Sequence, residues 1–212
     1  MTTTINARNL RLEDVQGFLK FQEQLNGSIT SLLSLEPLTE FERQELLEIR
    51  NVFRSYYAGG TISEGQIKFL FLAPLMKLAG FYQPNIKITL EENIDDIHVE
   101  DEDTNIKGRI DILAVNITQG RTVSTPFWIV VIESKNSSIN SSEGLPQLLT
   151  YAYKSLEHQT SVWGLTTNGM DYQFAYLQQS NPPTYQLFPK LDITRAESAF
   201  ELLQILKAIC KL

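Results

Sequence analysis

Three charged residues stand in two stretches that otherwise suit a buried β-sheet. Asp111 lies within an apolar run at residues 108–115, and Glu133 and Lys135 end a second run at residues 127–135. Both runs are rich in β-branched and aromatic residues, which favour strands. Because side chains alternate along a strand, Glu133 and Lys135 point the same way. If the runs are neighbouring strands, Asp111 joins them, and two carboxylates and an ammonium converge.

Ionised groups in an apolar sheet are costly unless they are paired or bound to a metal. Carboxylate oxygens are ligands that suit Mg²⁺ or Mn²⁺. Such a cation polarises a phosphate and lowers the pKa of a bound water, and a neighbouring lysine can position that water and offset charge on the phosphate. The pattern therefore indicates metal-assisted phosphodiester hydrolysis. A Glu-x-Lys sequence at a strand end is also common as a solvated strand tip, and that interpretation stays open.

The spacing Asp…Glu-x-Lys resembles the signature of the PD-(D/E)xK nuclease superfamily. Ile110 stands where the name of the motif has Pro. Glu64 has two interpretations. It follows Thr61 by three residues and could simply complete a capping box at a helix start. It could also be the acidic residue that many nucleases of this superfamily carry on the helix before the sheet, where it contacts the metal directly or through water.

A helix predicted from Glu143 to about Gln159 has Pro146 in its first turn, where proline is tolerated. Gln147 and Tyr151 lie four residues apart and share a face of this helix. Isolated from their context, these two residues would be an ordinary half-exposed helix face. Beyond the helix, Asn168-Gly169 predicts a tight hairpin between strands at residues 162–167 and 172–177.

The order of these features resembles one family within the superfamily. The chain carries Glu64, then Gly-Arg-Ile-Asp at 108–111, Ile-Glu-Ser-Lys at 132–135, Gln-x-x-x-Tyr at 147–151 and Trp-Gly-Leu-Thr-Thr-Asn-Gly at 163–169. This series is similar to the nuclease domain at the N-terminus of the restriction (motor) subunit of type I restriction enzymes, and to stand-alone relatives. The resemblance covers roughly residues 61–177. It includes no helicase.

The resemblance implies a role for each matching residue. Asp111, Glu133 and Glu64 would hold Mg²⁺ or Mn²⁺, and the Ser134 carbonyl could add a ligand. Lys135 would orient or activate the attacking water. Catalytic roles are thus expected at Asp111, Glu133, Lys135, Gln147 and Glu64.

The same resemblance implies a DNA-contacting rim. Gln147 and Tyr151 would contact the DNA backbone or hold Lys135 in place, and Lys154 continues roughly the same helix face. Arg109 shares the Asp111 side of its strand, so that it could pair with Asp111 or reach a phosphate.

Composition limits the class of protein. The chain has 212 residues, of which 42% are hydrophobic, enough for one well-buried α/β domain. The start lacks the basic and apolar regions of a signal peptide, and no apolar run approaches the ~20 residues of a membrane span. The one cysteine, Cys210, excludes an intrachain disulfide and fits a reducing cytoplasm. We therefore expect a cytoplasmic protein without a membrane partner.

The motifs predict a DNA-cleaving protein, whereas the net charge counts against binding to DNA. The formal charge of −7 counts against a nucleic acid as partner, because phosphates attract basic surfaces. The acid is concentrated, however. The segment Glu91–Asp103 holds eight acidic residues and neither Lys nor Arg, so that the rest of the chain is nearly neutral. If that segment is a hairpin tip away from the cleft, a locally basic groove stays open.

The expected fold is α/β: a restriction-endonuclease-like mixed β-sheet flanked by helices, with an N-terminal helical extension at residues 1–60 and a nuclease-like domain at 61–212, as one compact unit. Helices are predicted at 12–25, from the Thr39 cap to about Tyr57, at 61–79 despite Pro74, and at 195–211. Strands are expected at 86–90 and, as a short edge strand, at 185–188. A polar hairpin connection is predicted at 116–126.

The sequence thus predicts a Mg²⁺-dependent DNA endonuclease. The first alternative is a non-catalytic or partner-dependent DNA-binding module on the same fold, needing a helicase or restriction-modification subunit. The second is a structural domain in which Asp111, Glu133 and Lys135 form an internal ion-pair cluster. A homodimer through the C-terminal apolar stripe stays open. The preferred DNA structure, the pathway and the role of the N-terminal helices do not follow from the sequence.

Overall fold

A computed structural model describes residues 3–25, 27–94, 96–99, 103–118 and 127–212. Its helices are α1 (Leu12–Leu19), α2 (Glu40–Ala58), α3 (Glu64–Ile67), α4 (Ala73–Ala79), α5 (Leu145–Ser155) and α6 (Ala196–Cys210). Its strands are β1 (Thr3–Asn6), β2 (Gln22–Gln24), β3 (Ile86–Asn93), β4 (Ile97–Val99), β5 (Thr104–Lys107), β6 (Arg109–Asn116), β7 (Phe127–Ser134), β8 (Ser161–Thr167), β9 (Asp171–Gln178), β10 (Thr184–Leu187) and β11 (Leu191–Asp192).

The main sheet is mixed. In the described residues its strands run in the order β2-β10-β9-β8-β7-β6-β3, with β11 beside β9. β7 and β8 are parallel, because α5 carries the chain back across the sheet between them, and β2 is parallel to β10. The other pairs are antiparallel. A second, three-stranded sheet has the order β1-β5-β4.

Helices cover both faces of the main sheet, because the central strands β6, β7 and β8 are apolar on both sides. One core joins sheet residues such as Ile132 and Leu165 to α2, α4 and α6. The other joins Val131 and Val162 to α1 and α5. The predicted α/β class, a mixed sheet flanked by helices, is confirmed.

The N-terminal region is woven into the rest of the chain. Its strands β1 and β2 pair with β5 and β10, and α2 shares a core with α4 and α6. The helix predicted at 12–25 was too long. α1 ends at Leu19, since Lys20 adopts a left-handed backbone, and β2 follows it.

The helix predicted at 61–79 is divided. A π-helical turn, Lys68–Leu72, separates α3 from α4, and the Ala73 N–H bonds the Lys68 carbonyl five residues back. Pro74, at the start of α4, has no N–H to give and would crowd a regular turn before it, so the wider turn accommodates it.

Of the two interpretations of Glu64, the capping box with Thr61 was wrong. Ser63 caps α3 instead, and its partner is Gln66: the Gln66 N–H donates to the Ser63 hydroxyl, and the Gln66 side chain accepts from the Ser63 N–H at 2.9 Å. The Glu64 side chain is therefore free of the cap. The box predicted at Thr39 and Glu42 is present.

Other expectations have mixed outcomes. The Asn168-Gly169 turn joins β8 to β9 as predicted, with Gly169 at a positive φ of 86°. The strand expected at 86–90 extends to Asn93. Most of the connection predicted at 116–126 lies outside the described residues, as do parts of the acidic segment 91–103. None of the described helices has the length and apolar character to cross a membrane.

Candidate active site

The expected site residues lie at one end of β6 and β7. Ile112 pairs with Ile132, and one further step along this antiparallel register sets Asp111 opposite Glu133. Glu133 bonds Lys135, which Gln147 of α5 also holds, whereas Asp111 bonds Lys68 and Ser134. Both carboxylates are buried, with 7% and 2% of the residue surface exposed. β6 and β7 are therefore neighbouring strands, and each contributes one buried carboxylate at the same end of the pair.

Lys135 is held from two elements. Its Nζ donates to Glu133 Oε1 at 2.7 Å and to Gln147 Oε1 at 2.5 Å. Gln147, on α5, in turn donates through Nε2 to the Tyr151 hydroxyl at 3.1 Å. We call Glu133, Lys135, Gln147 and Tyr151 the Lys135 cluster. Its geometry is fixed because a strand and a helix each contribute two members.

The Tyr151 side chain lies deep in the fold, with 1% of its surface exposed. The Arg109 backbone hydrogen-bonds its hydroxyl, and its ring crosses Gly108, where a Cβ would lie 2.4 Å from Tyr151 Cε1. Burial raises the pKa of Tyr151 above its usual range. Of the two roles expected for Gln147 and Tyr151, these contacts favour holding Lys135 over touching the DNA backbone.

Glu133 has one oxygen without a partner. Oε1 accepts from Lys135, but Oε2 is buried and has no hydrogen bond among the described residues. Burial, and then the negative charge of Asp111, raise the pKa of Glu133 to about 8, although Lys135 opposes them. A buried, unpaired carboxylate oxygen is costly unless a partner is supplied. A hard divalent cation is such a partner, so this donor fits one.

A second lysine, Lys68, bonds Asp111 from the π-helical turn that follows α3. Lys68 Nζ lies 2.7 Å from Asp111 Oδ1, 2.8 Å from Glu64 Oε1 and 2.6 Å from Glu91 Oε1. We call Glu64, Lys68, Glu91 and Asp111 the Lys68 cluster. Glu64 and Lys68 share a helix face, because they are four residues apart.

The carboxylates of the Lys68 cluster surround one point. Glu64, Glu91 and Asp111 each offer an oxygen within 4.8 Å of the others. Burial lowers the pKa of Lys68, but its hydrogen bonds to Asp111, Glu64 and Glu91 outweigh burial and raise the pKa above the ordinary range. The ammonium is therefore firmly charged in this arrangement.

Glu91 reaches this point through an unusual backbone. It faces Asp111 across the β3–β6 ladder, between the pairs Leu90–Ile112 and Glu92–Ile110. Its φ is +56°, a left-handed conformation that costs a residue with a side chain on the order of 1–3 kcal/mol. Arg109, expected to pair with Asp111 or a phosphate, instead bonds Glu91 Oε2 at 2.7 Å.

Not every expected ligand joins the group of three oxygens. Glu64 and Asp111 are in it, whereas Glu133 lies outside it and Ser134 contacts Asp111. The N–H and hydroxyl of Ser134 donate to Asp111 Oδ2 at 2.7 and 2.9 Å. Lys154 lies near the far end of α5, where Nζ bonds Glu157 at 2.8 Å.

Sequence reasoning missed Lys68 and Glu91. Lys68 carried a usable signal, since it follows Glu64 by one helical turn. Glu91 carried a weaker one, because it directly follows the strand expected at 86–90 but belongs to the acidic segment that was considered as a hairpin tip away from the cleft. The structure instead places this first residue of the segment against Asp111.

Comparison with known proteins gives little beyond this geometry. No protein-family model matches the chain, and no curated protein matches it. A similar solved structure is the fragment of a putative HsdR subunit of a type I restriction enzyme from Vibrio vulnificus YJ016, with a TM-score of 0.40 and 19% sequence identity. The match covers 67% of this chain and 25% of that one, so the chain corresponds to about a quarter of its length. Function is therefore inferred from the site.

Proposed function

We propose that this protein is a metal-dependent nuclease that hydrolyses phosphodiester bonds in DNA. The observation that carries the proposal is the unpartnered Oε2 of Glu133, buried beside Asp111 while Lys135 is fixed next to it. A purely structural ion-pair cluster gains nothing from such an oxygen, whereas a cation site requires one.

Asp111 and Glu64 would hold Mg²⁺ or Mn²⁺, with Glu133 adding the unpartnered oxygen and the Ser134 carbonyl as a further donor. When bound, the ion would polarise a phosphate and acidify a water molecule. The donor set is all oxygen, which suits these hard cations.

Lys135 would act on the phosphate and the attacking water. Its ammonium has three N–H bonds, and Glu133 and Gln147 accept two of them. No described residue accepts the third, which would orient water or offset charge that develops on the phosphate oxygens. Gln147, itself held by Tyr151, would fix the direction of that N–H.

Arg109 and Lys154 are the proposed contacts to the DNA backbone. Half of the Arg109 side-chain surface is exposed, and both cations now pair with partly exposed carboxylates, Glu91 and Glu157. Exposed ion pairs of this kind are worth little, so a phosphate could replace either carboxylate partner. Each contact is expected to weaken with salt.

The test is DNA cleavage by the purified protein with Mg²⁺ or Mn²⁺, on single-stranded, duplex and branched substrates. Wild type should cleave at least one of them, and Asp111→Asn and Lys135→Ala should not. Lys207→Met, which removes a half-buried ion pair between α6 and Glu42 of α2, is the control and should cleave normally. Intact DNA in every wild-type reaction would refute the nuclease.

A second candidate is a DNA-binding module that acts only with a partner, such as a helicase or a restriction-modification subunit. The observation that favours it is charge: the chain carries −7, and Lys68, Arg109 and Lys135 are each paired with a carboxylate. A gel shift at low salt without cleavage by the isolated protein would support this candidate instead.

A further inference from the structure

The Lys68 ammonium occupies a position that a small cation would also take. Its three N–H bonds match three carboxylate oxygens, at 2.6 to 2.8 Å. An ammonium and a metal ion cannot share that point. Any cation held by Glu64, Glu91 and Asp111 together must therefore first remove Lys68.

Two of the three carboxylates have a partner besides Lys68. Asp111 uses Oδ1 for Lys68, while Ser134 holds Oδ2 through two hydrogen bonds. Glu91 uses Oε1 for Lys68, while Arg109 holds Oε2. Each of these two groups thus has one oxygen tethered by the protein and presents the other inward. Departure of Lys68 would leave those inward oxygens facing one another unpaired.

A groove beside Lys68 could receive its side chain. An apolar groove of about 580 Å³ adjoins it, lined among others by Gly65, Phe69 and Leu90. Beside it, Phe69 and Leu90 expose 77% and 61% of their surface. A lysine stem lies readily along apolar surface with its ammonium in water. The groove therefore offers the Lys68 stem an apolar surface outside the carboxylate group.

We propose that Lys68 is a resident counter-ion that fills the divalent-cation position in the metal-free protein, and that Glu91 is an additional ligand of the cation that displaces it. Glu133, on the neighbouring strand, has a buried oxygen without a partner among the described residues, and a cation held beside Asp111 would supply one. The inference rests on the proposed function, because it concerns the cation of that same site. It makes Lys68 a competitor of the metal.

Titration calorimetry with Mn²⁺ tests this competition. If Lys68 vacates the position in a tenth of molecules or fewer, wild type binds at least about tenfold more weakly than its unobstructed site would. Lys68→Met should then bind one Mn²⁺ at least about tenfold more tightly than wild type. Lys207→Met is the matched control, because Lys207 is equally buried against Glu42, and it should bind as wild type does.

The outcomes separate the two proposals. If wild type and Lys68→Met bind Mn²⁺ equally, the proposal that Lys68 competes with the cation is wrong, while the proposed cation site is supported. If neither binds, the cation site of the proposed function is wrong, and the counter-ion with it. Because Lys68→Met leaves three carboxylates without a cation, its folding is checked by thermal unfolding. Added Mn²⁺ should raise its melting temperature more than that of wild type, and an equal rise would overturn the proposal.

Discussion

The Lys135 cluster and the Lys68 cluster share a border at Asp111 and Glu133 but are built in opposite ways. The Lys135 cluster is buried, joins one strand to one helix, and leaves Glu133 Oε2 without a partner. In the Lys68 cluster the ammonium is matched one for one by carboxylates, and Glu64 and Glu91 are 44% and 40% exposed. Lys135 is thus fixed beside a carboxylate that lacks a partner, whereas Lys68 is itself the partner of three carboxylates.

The difference separates two uses of the same side chain. A lysine that acts on a substrate needs a fixed direction and a free N–H bond, which Gln147 and Tyr151 secure for Lys135. A lysine that only neutralises charge needs every N–H bond used, as for Lys68. We therefore expect substitutions of the two lysines to fail in different measurements.

The largest expected difference is in turnover. Lys135→Ala should lower kcat by about 10²–10³-fold, because loss of one donor that stabilises charge in the transition state costs that much. Lys68→Met should lower kcat by less than about tenfold at saturating Mn²⁺, as expected for a group outside the transition state. Cleavage of a labelled oligonucleotide under single-turnover conditions measures both. Equal losses in the two variants would end the distinction between the clusters.

Next in size is a pH dependence that belongs to the Lys135 cluster alone. Without metal, burial and Asp111 raise the pKa of Glu133 from 4.5 to about 8, so that between these values the folded protein binds more protons than the unfolded chain. The contribution of Glu133 to the free energy of unfolding therefore falls as pH rises from about 4.5 to about 8.

Urea unfolding in EDTA measures this slope. The Glu133→Gln variant cannot titrate at this position, so its stability should fall less across the same range. Parallel curves for wild type and variant would show that Glu133 ionises normally in the fold.

A smaller effect should follow from loosening Lys135 without removing it. Gln147→Ala takes away one of its two acceptors and should lower kcat by about 10–100-fold, the usual loss for a supporting contact to a functional group. The KM for DNA should change little, because the side chain is 6% exposed. A rise in KM with unchanged kcat would make Gln147 a DNA contact instead.

The smallest expected effect compares the packing behind the two clusters. Gly108→Ala sets a Cβ 2.4 Å from the Tyr151 ring and should cost about 1–3 kcal/mol of unfolding free energy. Gly65→Ala, beside Lys68 on α3, has open space and should instead gain about 0.4–1 kcal/mol. Urea titrations of both variants at one pH check the two signs. A neutral Gly108→Ala would mean that Tyr151 is not rigidly placed.

The sequence predicted the Lys135 side of the site better than the Lys68 side, for a physical reason. Strand alternation sets Glu133 and Lys135 on one side, and one helical turn links Gln147 to Tyr151, so that local rules account for the Lys135 cluster once α5 packs beside β7. The Lys68 cluster depends on how α3 and the π-helical turn pack against β3 and β6. This tertiary packing does not follow from the local sequence pattern.

Fold prediction failed where a neighbour overrode a local pattern. The mixed sheet with flanking helices followed from apolar runs and their period. The parallel pairing of β1 with β5 and of β2 with β10 did not, because both strands are short, largely exposed and joined to distant segments. The π-helical turn before Pro74 likewise reconciles a proline with a helix that pattern alone would end or kink.

The left-handed backbone of Glu91 also changes an exposed edge of the main sheet. Among the described residues β3 is the last strand on one side of the main sheet, and it exposes Leu90. Such a border strand invites pairing with another chain, and the first step toward an aggregate is a straight, uncharged run of peptide groups. At Glu91 the left-handed backbone interrupts the straight strand, and the side chain adds a negative charge. The residue that faces Asp111 is therefore also expected to disfavour pairing of this edge with another chain.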